Sequence, residues 1–217
     1  MSTIRTTMNA DDAARALEVV APVKKDFMAR WGVSTAPLFF WRKNGVPSPT
    51  STALVYARDR VRAVDASRIE AIRAAVGDEA FASAAERIEA AILAGDELPM
   101  SRGGDPMDGP AIDAGIEALG YSKTAFAEWI GTTRRTLDRW TQEPVDGKPV
   151  AGIDKGIAWM LRSMLADRGV SVDGRDPALE AVANFAVDAG LAGWEPAHVV
   201  GAIQQAREPA QRSEPAL

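Results

Sequence analysis

The stretch that decides the fold reads KTAFAEWIGTTRRTLDRW and runs from Lys123 to Trp140. Its first half predicts a helix of about two turns, for which Ser122 is a suitable N-cap because a serine hydroxyl can accept a hydrogen bond from the first turn. Gly131 can adopt a positive φ at little cost, which the chain needs where it leaves one helix and turns sharply. Thr132 or Thr133 then caps a second helix.

Apolar side chains are expected to hold these two helices together. Phe126 and Ile130 lie on one face of the first helix, and Leu137 and Trp140 are three positions apart on one face of the second. Ala127, one turn before the glycine, is small and allows the second helix to cross the first closely. The stretch therefore predicts two short helices at a steep angle, a helix-turn-helix unit.

The same pattern occurs a second time, earlier in the chain. FMARWGVSTAPLFFW, from Phe27 to Trp41, aligns without a gap on FAEWIGTTRRTLDRW, from Phe126 to Trp140. The alignment pairs a Phe, a Gly, a Leu and a Trp of one segment with the same residue types of the other. A Pro-containing connection and another apolar helix follow each segment, so we expect one small helical unit to be used twice.

Most of the remaining chain also has the apolar spacing of helices, and no convincing run alternates β-branched with polar residues. We predict an all-α fold in which a helical spacer and a flexible linker join two small helix-turn-helix domains. The expected segments are 1–66 (first domain), 67–98 (spacer), 99–109 (linker), 110–169 (second domain), 170–208 (C-terminal helical extension) and 209–217 (flexible tail). We expect the spacer helices to pack against the first repeat.

The net charge of −5 argues, taken alone, against a nucleic-acid partner. The charge is segregated, however: residues 1–66 hold ten Lys/Arg against six Asp/Glu, residues 110–169 hold eight of each, and the other segments are acidic. A DNA-binding surface needs positive charge only where it meets phosphates. The segregation is therefore compatible with a DNA partner.

Composition excludes several other classes of site. The chain has no cysteine, which excludes disulfides, thiolate metal sites and thiol nucleophiles. No apolar run approaches the ~20 residues of a membrane helix, and the N-terminus lacks the apolar region of a signal peptide. We expect a cytoplasmic protein with no membrane association.

The stretch from Lys123 to Trp140 resembles the helix-turn-helix of the Cro/cI-type (XRE-like) regulators of phages and bacteria. The family has a small residue where Ala127 stands, glycine where Gly131 stands, and apolar residues where Leu137 and Trp140 stand. The resemblance implies a sequence-specific DNA-binding transcriptional regulator of phage or mobile-element type, associated with the nucleoid. It also implies that the second helix enters the major groove of double-stranded DNA, and that a homodimer is plausible.

By this resemblance, the outward side chains of the second helix contact DNA. Arginine can bond guanine bidentately, threonine can meet a phosphate or a thymine methyl, and aspartate can accept from cytosine. The expected DNA-contacting residues are Lys123, Thr132, Thr133, Arg134, Arg135, Asp138 and Arg139. The alternative is a solvated face on which Arg134 and Asp138 form an ordinary ion pair.

The first copy has no arginine at the equivalent positions, and Phe39 and Phe40 point outward there, where exposure to water is costly. Three interpretations stay open: contact with DNA phosphates and thymine methyls, a dimer or partner-protein face, or packing against the acidic spacer. The residues of this second DNA or partner surface are Lys24, Lys25, Ser34, Thr35, Phe39, Phe40, Arg42 and Lys43. The alternative function is accordingly a protein-binding inhibitor or assembly adaptor.

Nothing in the sequence predicts an enzyme. His198, the single histidine, has no metal-ligating partner at useful spacing. There is no glycine-rich phosphate loop with its lysine, and no pair of carboxylates is distinguished by its context. We expect no catalytic residue, no metal and no cofactor.

Overall fold

A computed structural model describes residues 7–100, 105, 107–143 and 152–208. Twelve helices account for 71% of these residues, which include no strand. The predicted all-α fold is thereby confirmed. Residues 101–104 and 106 of the predicted linker, and the predicted tail 209–217, lie outside the described residues.

The helices alternate with short connections along the chain. The first six are α1 (Ala10–Val20), α2 (Lys24–Trp31), α3 (Thr35–Asn44), α4 (Thr50–Arg62), α5 (Ala66–Val76) and α6 (Asp78–Ala94). The second six are α7 (Gly109–Ala118), α8 (Lys123–Ile130), α9 (Arg134–Trp140), α10 (Lys155–Ala166), α11 (Pro177–Leu191) and α12 (Pro196–Arg207).

The repeat is longer than the two aligned segments. The helix starts at residues 10, 24 and 35 recur at residues 109, 123 and 134, so α1–α3 and α7–α9 are related by a constant offset of 99. Asn9 and Asp108 begin the two copies in the same way, since each side chain accepts a hydrogen bond from the backbone N–H three residues later. The repeated unit therefore includes a helix before the aligned pair.

Burial follows the same offset. Side chains at equivalent positions of the two copies are buried even where the residue types differ. The buried pairs are Met8 and Met107, Ala13 and Ile112, Leu17 and Ile116, Val20 and Leu119, Phe27 and Phe126, Trp31 and Ile130, Leu38 and Leu137, and Trp41 and Trp140. Each copy thus builds the same small core from its first three helices.

The fourth helices, α4 and α10, pack against each other and join the two copies into one continuous core. At their junction the ring of Trp31 stacks on that of Trp159, with 5.6 Å between centroids. The close approach requires Gly156, because a Cβ there would lie 2.7 Å from the ring of Trp31. Small residues at this crossing therefore set the distance between the copies.

Each copy also donates hydrogen bonds to the C-terminal end of the second helix of the other copy, which is α2 or α8. Lys155 Nζ, at the start of α10, donates to the carbonyl of Gly32 at 2.6 Å. Reciprocally, Ser48 Oγ donates to the carbonyl of Gly131 at 2.9 Å, and Thr52 Oγ1 donates to that of Ile130 at 3.3 Å. Carbonyls at the end of a helix lack intrahelical partners, so these contacts satisfy them. The exchange is reciprocal, although the donors are not equivalent residues of the two copies.

The four remaining helices, α5, α6, α11 and α12, form a second core around side chains such as Phe81, Phe185 and Ile203. The expectation that the spacer helices pack against the first repeat is wrong. Their apolar faces instead meet α11 and α12, which follow the second copy in sequence. The two helices that follow the first copy and the two that follow the second copy thereby form one bundle.

A buried ion cluster lies between the two cores. Asp188 of α11 is fully buried and accepts hydrogen bonds from Arg30 at 2.8 Å, Arg60 at 2.9 Å and Arg68 at 2.9 Å. Burial by itself raises the pKa of Asp188, but the guanidinium groups of Arg60, Arg30 and Arg68 outweigh it and hold the pKa well below its ordinary value. One carboxylate thus ties α2, α4 and α5 to α11.

Candidate nucleic-acid interface

The pair of helices α8 and α9 is built as its local sequence predicts. Ser122 caps α8 by accepting from the backbone N–H of Ala125, and Gly131 ends the helix in the left-handed region with φ of 74°. Of the two predicted caps for α9, Thr133 fills the position, and its hydroxyl accepts from the N–H of Thr136. The two helices are therefore fixed at both ends of the turn.

The inward and outward faces of α9 are also as predicted. Leu137 and Trp140 are buried against the rest of the copy. Arg134, Arg135 and Arg139 are exposed, and Asp138 is half-buried among them. The exposed face of this short helix consequently carries three cations and one carboxylate.

Arg134 is already engaged by its neighbours. Its Nε donates to Asp138 Oδ1 at 2.7 Å, and its Nη1 donates to Thr124 Oγ1 on α8 at 3.2 Å. The ordinary ion pair that the sequence offered as an alternative is thus present. Arg134 can reach a phosphate or a base only by exchanging these contacts.

Arg135 and Arg139 are four positions apart and therefore lie one above the other on α9. Both are exposed, and neither has an ion-pair partner among the described residues. These two guanidinium groups can meet an anion without breaking an existing contact. In the predicted DNA-contacting set they are the exposed arginines that are not held in an ion pair with another described residue.

The other predicted contacts are partly used within the protein. Lys123 Nζ lies 2.7 Å from Asp113 Oδ1 of α7 and donates to Thr141 Oγ1 at 3.2 Å. Thr132 is half-buried, and the hydroxyl of Thr133 caps α9. Asp113 was not among the predicted residues, because its contact with Lys123 depends on how α7 packs beside α8.

In the first copy, α2 and α3 have the same geometry but a different surface. Gly32 ends α2 with φ of 63°, and Leu38 and Trp41 are buried. Phe39 and Phe40 are 75% and 56% exposed, respectively. The interpretation that these phenylalanines pack against the acidic spacer is therefore wrong, since the spacer helices are occupied by α11 and α12.

Equivalent positions show how the first surface differs from the second. Asp113, which pairs with Lys123, is replaced by Ala14 beside Lys24, and Asp138 is replaced by Phe39. Helix α3 has no acidic residue and carries Arg42 and Lys43 in its last turn. The remaining predicted residues, Lys25, Ser34 and Thr35, are exposed. The first surface is thus cationic and apolar, where the second is cationic and polar.

A groove of about 1110 Å³ runs beside α3, and we call it the phenylalanine groove. Its floor consists of the apolar side chains Leu17, Ala21 and Leu38, which are buried. Phe39 and Phe40 form one side, and the cationic rim is supplied by Lys24, Arg42 and Lys43. The sequence identified the phenylalanines and the cations, but Leu17 and Ala21 of the floor come from α1 and its C-terminal end, which precede the aligned segment.

The described part of the chain has no features of a metal site or of a membrane-spanning segment. It contains no group of three or more His, Asp or Glu residues that could hold a metal ion, and none of its helices is long and apolar enough to cross a membrane. His198 is exposed on α12. No protein-family model, no curated protein and no solved structure matches this chain.

Proposed function

We propose that this protein is a sequence-specific DNA-binding regulator of transcription, with α8 and α9 acting as a helix-turn-helix. The observation that carries the proposal is the exposed face of α9, where Arg134, Arg135 and Arg139 project from a helix whose opposite face is fixed to α8. The resemblance to Cro/cI-type regulators supports the same function and a phage or mobile-element type. Such a regulator would act at the nucleoid, in the cytoplasm.

The shape and chemistry of α9 suit the major groove of double-stranded DNA. That groove is about 12 Å wide and admits one α-helix. Arg135 and Arg139, one turn apart on an exposed face, can reach adjacent base edges or phosphates, and an arginine can bond guanine bidentately. Phosphate contacts from the start of α8 would position the helix, with Lys123 the nearest candidate.

The negative total charge does not oppose this function. Helix α9 carries three arginines and one aspartate, and that aspartate, Asp138, is bound to Arg134. Much of the acidic excess lies in residues 67–109 and 170–217. Because salt screens charges beyond about 10 Å at moderate ionic strength, the local charge of α9 matters more to phosphates than the total.

The first prediction concerns Arg135 and Arg139. DNA that binds the full chain is selected from a random double-stranded pool, and its Kd is measured by fluorescence anisotropy at about 50 mM and about 200 mM salt. We expect Arg135→Ala and Arg139→Ala each to weaken binding on the order of tenfold, as loss of a base or phosphate contact does. Arg134→Ala should weaken binding less, because Arg134 must first leave Asp138.

Arg87→Ala is the matched control, because Arg87 is an exposed arginine of α6 on the other core. Its affinity for the selected DNA should equal that of the unmodified protein. If no sequence is enriched, or if Arg87→Ala and Arg135→Ala weaken binding equally, α9 does not read DNA and the proposal is wrong.

The second prediction concerns the carboxylate beside Lys123. Asp113→Asn removes the charge that lies 2.7 Å from Lys123 Nζ, so the ammonium group becomes available to a phosphate. We expect DNA to bind a few-fold more tightly at about 50 mM salt, with a smaller gain at about 200 mM. Glu86→Gln, an equal change of charge at an exposed position of α6, should leave the Kd unchanged. Weaker binding by Asp113→Asn would place Lys123 outside the interface.

A further inference from the structure

We infer that the phenylalanine groove of the first copy is the docking site for an acidic amphipathic helix of a partner protein. The inference concerns α1–α3 and does not depend on DNA binding by α9. Three properties of the groove support it: the exposed aromatic side chains, the recessed apolar floor and the cationic rim.

The exposure of the two phenylalanines has no explanation in the fold. Phe39 and Phe40 are 75% and 56% exposed, and they occupy the positions of Asp138 and Arg139 in the second copy. The same helix pair therefore folds with charged residues at both positions. Since exposed aromatic surface is costly in water, its retention here indicates a surface that a partner covers.

The groove has the form that receives a helix. Its volume of about 1110 Å³ lies between α3 and the junction of α1 with α2, over the buried side chains of Leu17, Ala21 and Leu38. An amphipathic helix binds such a groove by inserting apolar side chains at positions i, i+3 or i+4, and i+7. Phe39 and Phe40 would then pack against the inserted side chains, as aromatic residues do at the centre of interfaces.

The rim determines the charge of the partner. No acidic residue lines the groove, whereas Lys24, Arg42 and Lys43 do. Lys123, the counterpart of Lys24, is paired with Asp113, but Lys24 has Ala14 in place of that aspartate. A helix with Asp or Glu on either side of its apolar stripe complements this rim.

Two other occupants fit less well. A second copy of the chain docking groove to groove would bring two cationic rims together, which is unfavourable. Single-stranded nucleic acid could stack bases on phenylalanine, but the recessed aliphatic floor offers nothing to its sugars and phosphates. Both occupants give distinct results in the experiment below.

The test is selection from a display library of random peptides of about four helical turns, with the full chain as bait. We expect enrichment of peptides with apolar residues at i, i+3 or i+4 and i+7, flanked by Asp and Glu. Selected peptides should bind Phe39→Ser/Phe40→Ser at least tenfold more weakly. Binding to Lys24→Ala/Arg42→Ala/Lys43→Ala should be weaker at low salt and closer to that of the unmodified protein at high salt.

The matched control is Leu93→Ser, which removes a side chain that is 75% exposed on α6, outside the groove. Leu93→Ser should bind the selected peptides with the same affinity as the unmodified protein. Thermal unfolding should show that all variants are folded. The inference is overturned by peptides that lack acidic residues, by peptides that bind Phe39→Ser/Phe40→Ser equally, or by an empty selection. A labelled oligo-dT that needs the phenylalanines, or a molar mass that falls in Phe39→Ser/Phe40→Ser, would also overturn it.

Discussion

Replacing Asp188 with asparagine is expected to lower the free energy of unfolding by about 3–5 kcal/mol, as removal of one partner from a buried ion pair does. Asp188 is fully buried and is the counterion of Arg30, Arg60 and Arg68. Arg60 keeps its contact with Asp167 in the variant, but Arg30 and Arg68 have no second carboxylate partner among the described residues. Urea denaturation of the full chain measures the loss.

The matched control is Asp138→Asn, which removes an aspartate from an arginine pair on the surface. Both members of that pair are about half exposed, and surface pairs contribute only ~0–1 kcal/mol. If Asp188→Asn costs no more than this control, the cluster does not hold the two cores together.

The pH dependence of the free energy of unfolding, compared between the unmodified protein and Asp188→Asn, provides an independent test. The three guanidinium groups hold the folded-state pKa of Asp188 below its ordinary value, against the effect of burial. A carboxylate with a depressed pKa contributes stability above its unfolded pKa of about 3.9, and this contribution is lost as the pH falls toward the folded pKa. The difference between the unmodified protein and Asp188→Asn should therefore be constant near neutral pH and shrink below about pH 4.

Trp31→Ala is the second substitution for which we expect a large loss, about 3–5 kcal/mol. Trp31 is 1% exposed and stacks on Phe27 and Trp159 at 4.8 and 5.6 Å between centroids. It also lies directly against Gly156 of α10, so the cavity would open at the junction of the two copies. The neighbouring side chains relax only partly into such a cavity, so most of the lost packing is not recovered.

Trp129→Ala is the control for Trp31→Ala. Trp129 is half-buried, and its ring stacks on that of Tyr121 within the second copy. Its loss should cost clearly less in the same urea titration, because part of its surface is already in water. Equal losses for the two variants would show that the packing of Trp31 of α2 against α10 adds little to stability.

Much of the α8–α9 pair could be read from residues close together in the chain. The hydroxyl of Ser122, the positive φ of Gly131 and the spacing of Leu137 and Trp140 act within one or two helical turns. Such local preferences are expressed in the same way wherever the unit lies in the fold. For this reason the sequence also predicts that Arg135, Arg139, Phe39 and Phe40 point outward from their helices.

The first helix of each copy could not be recognised as part of the repeat from the sequence. Equivalent positions of α1 and α7 are buried although their residue types differ. Helices α1 and α7 have the same buried positions, but Ala13 is matched by Ile112 and Val20 by Leu119. Residues of different size can fill equivalent places when neighbouring side chains change with them. Residue identity therefore relates α2–α3 to α8–α9, but it does not reveal α1, the helix that supplies Leu17 to the floor of the phenylalanine groove.

The sequence by itself determined the helices, their caps, and which side chains of α3 and α9 face outward. Only the tertiary structure decided that α5 and α6 pack on α11 and α12. It also decided that Asp188 forms ion pairs with three arginines and that Asp113 forms one with Lys123. The physical reason is that an apolar stripe or a charge specifies what kind of partner it needs but not which one. Partners more than a hundred positions away, as Arg60 and Asp188 are, become neighbours only when the whole chain has packed.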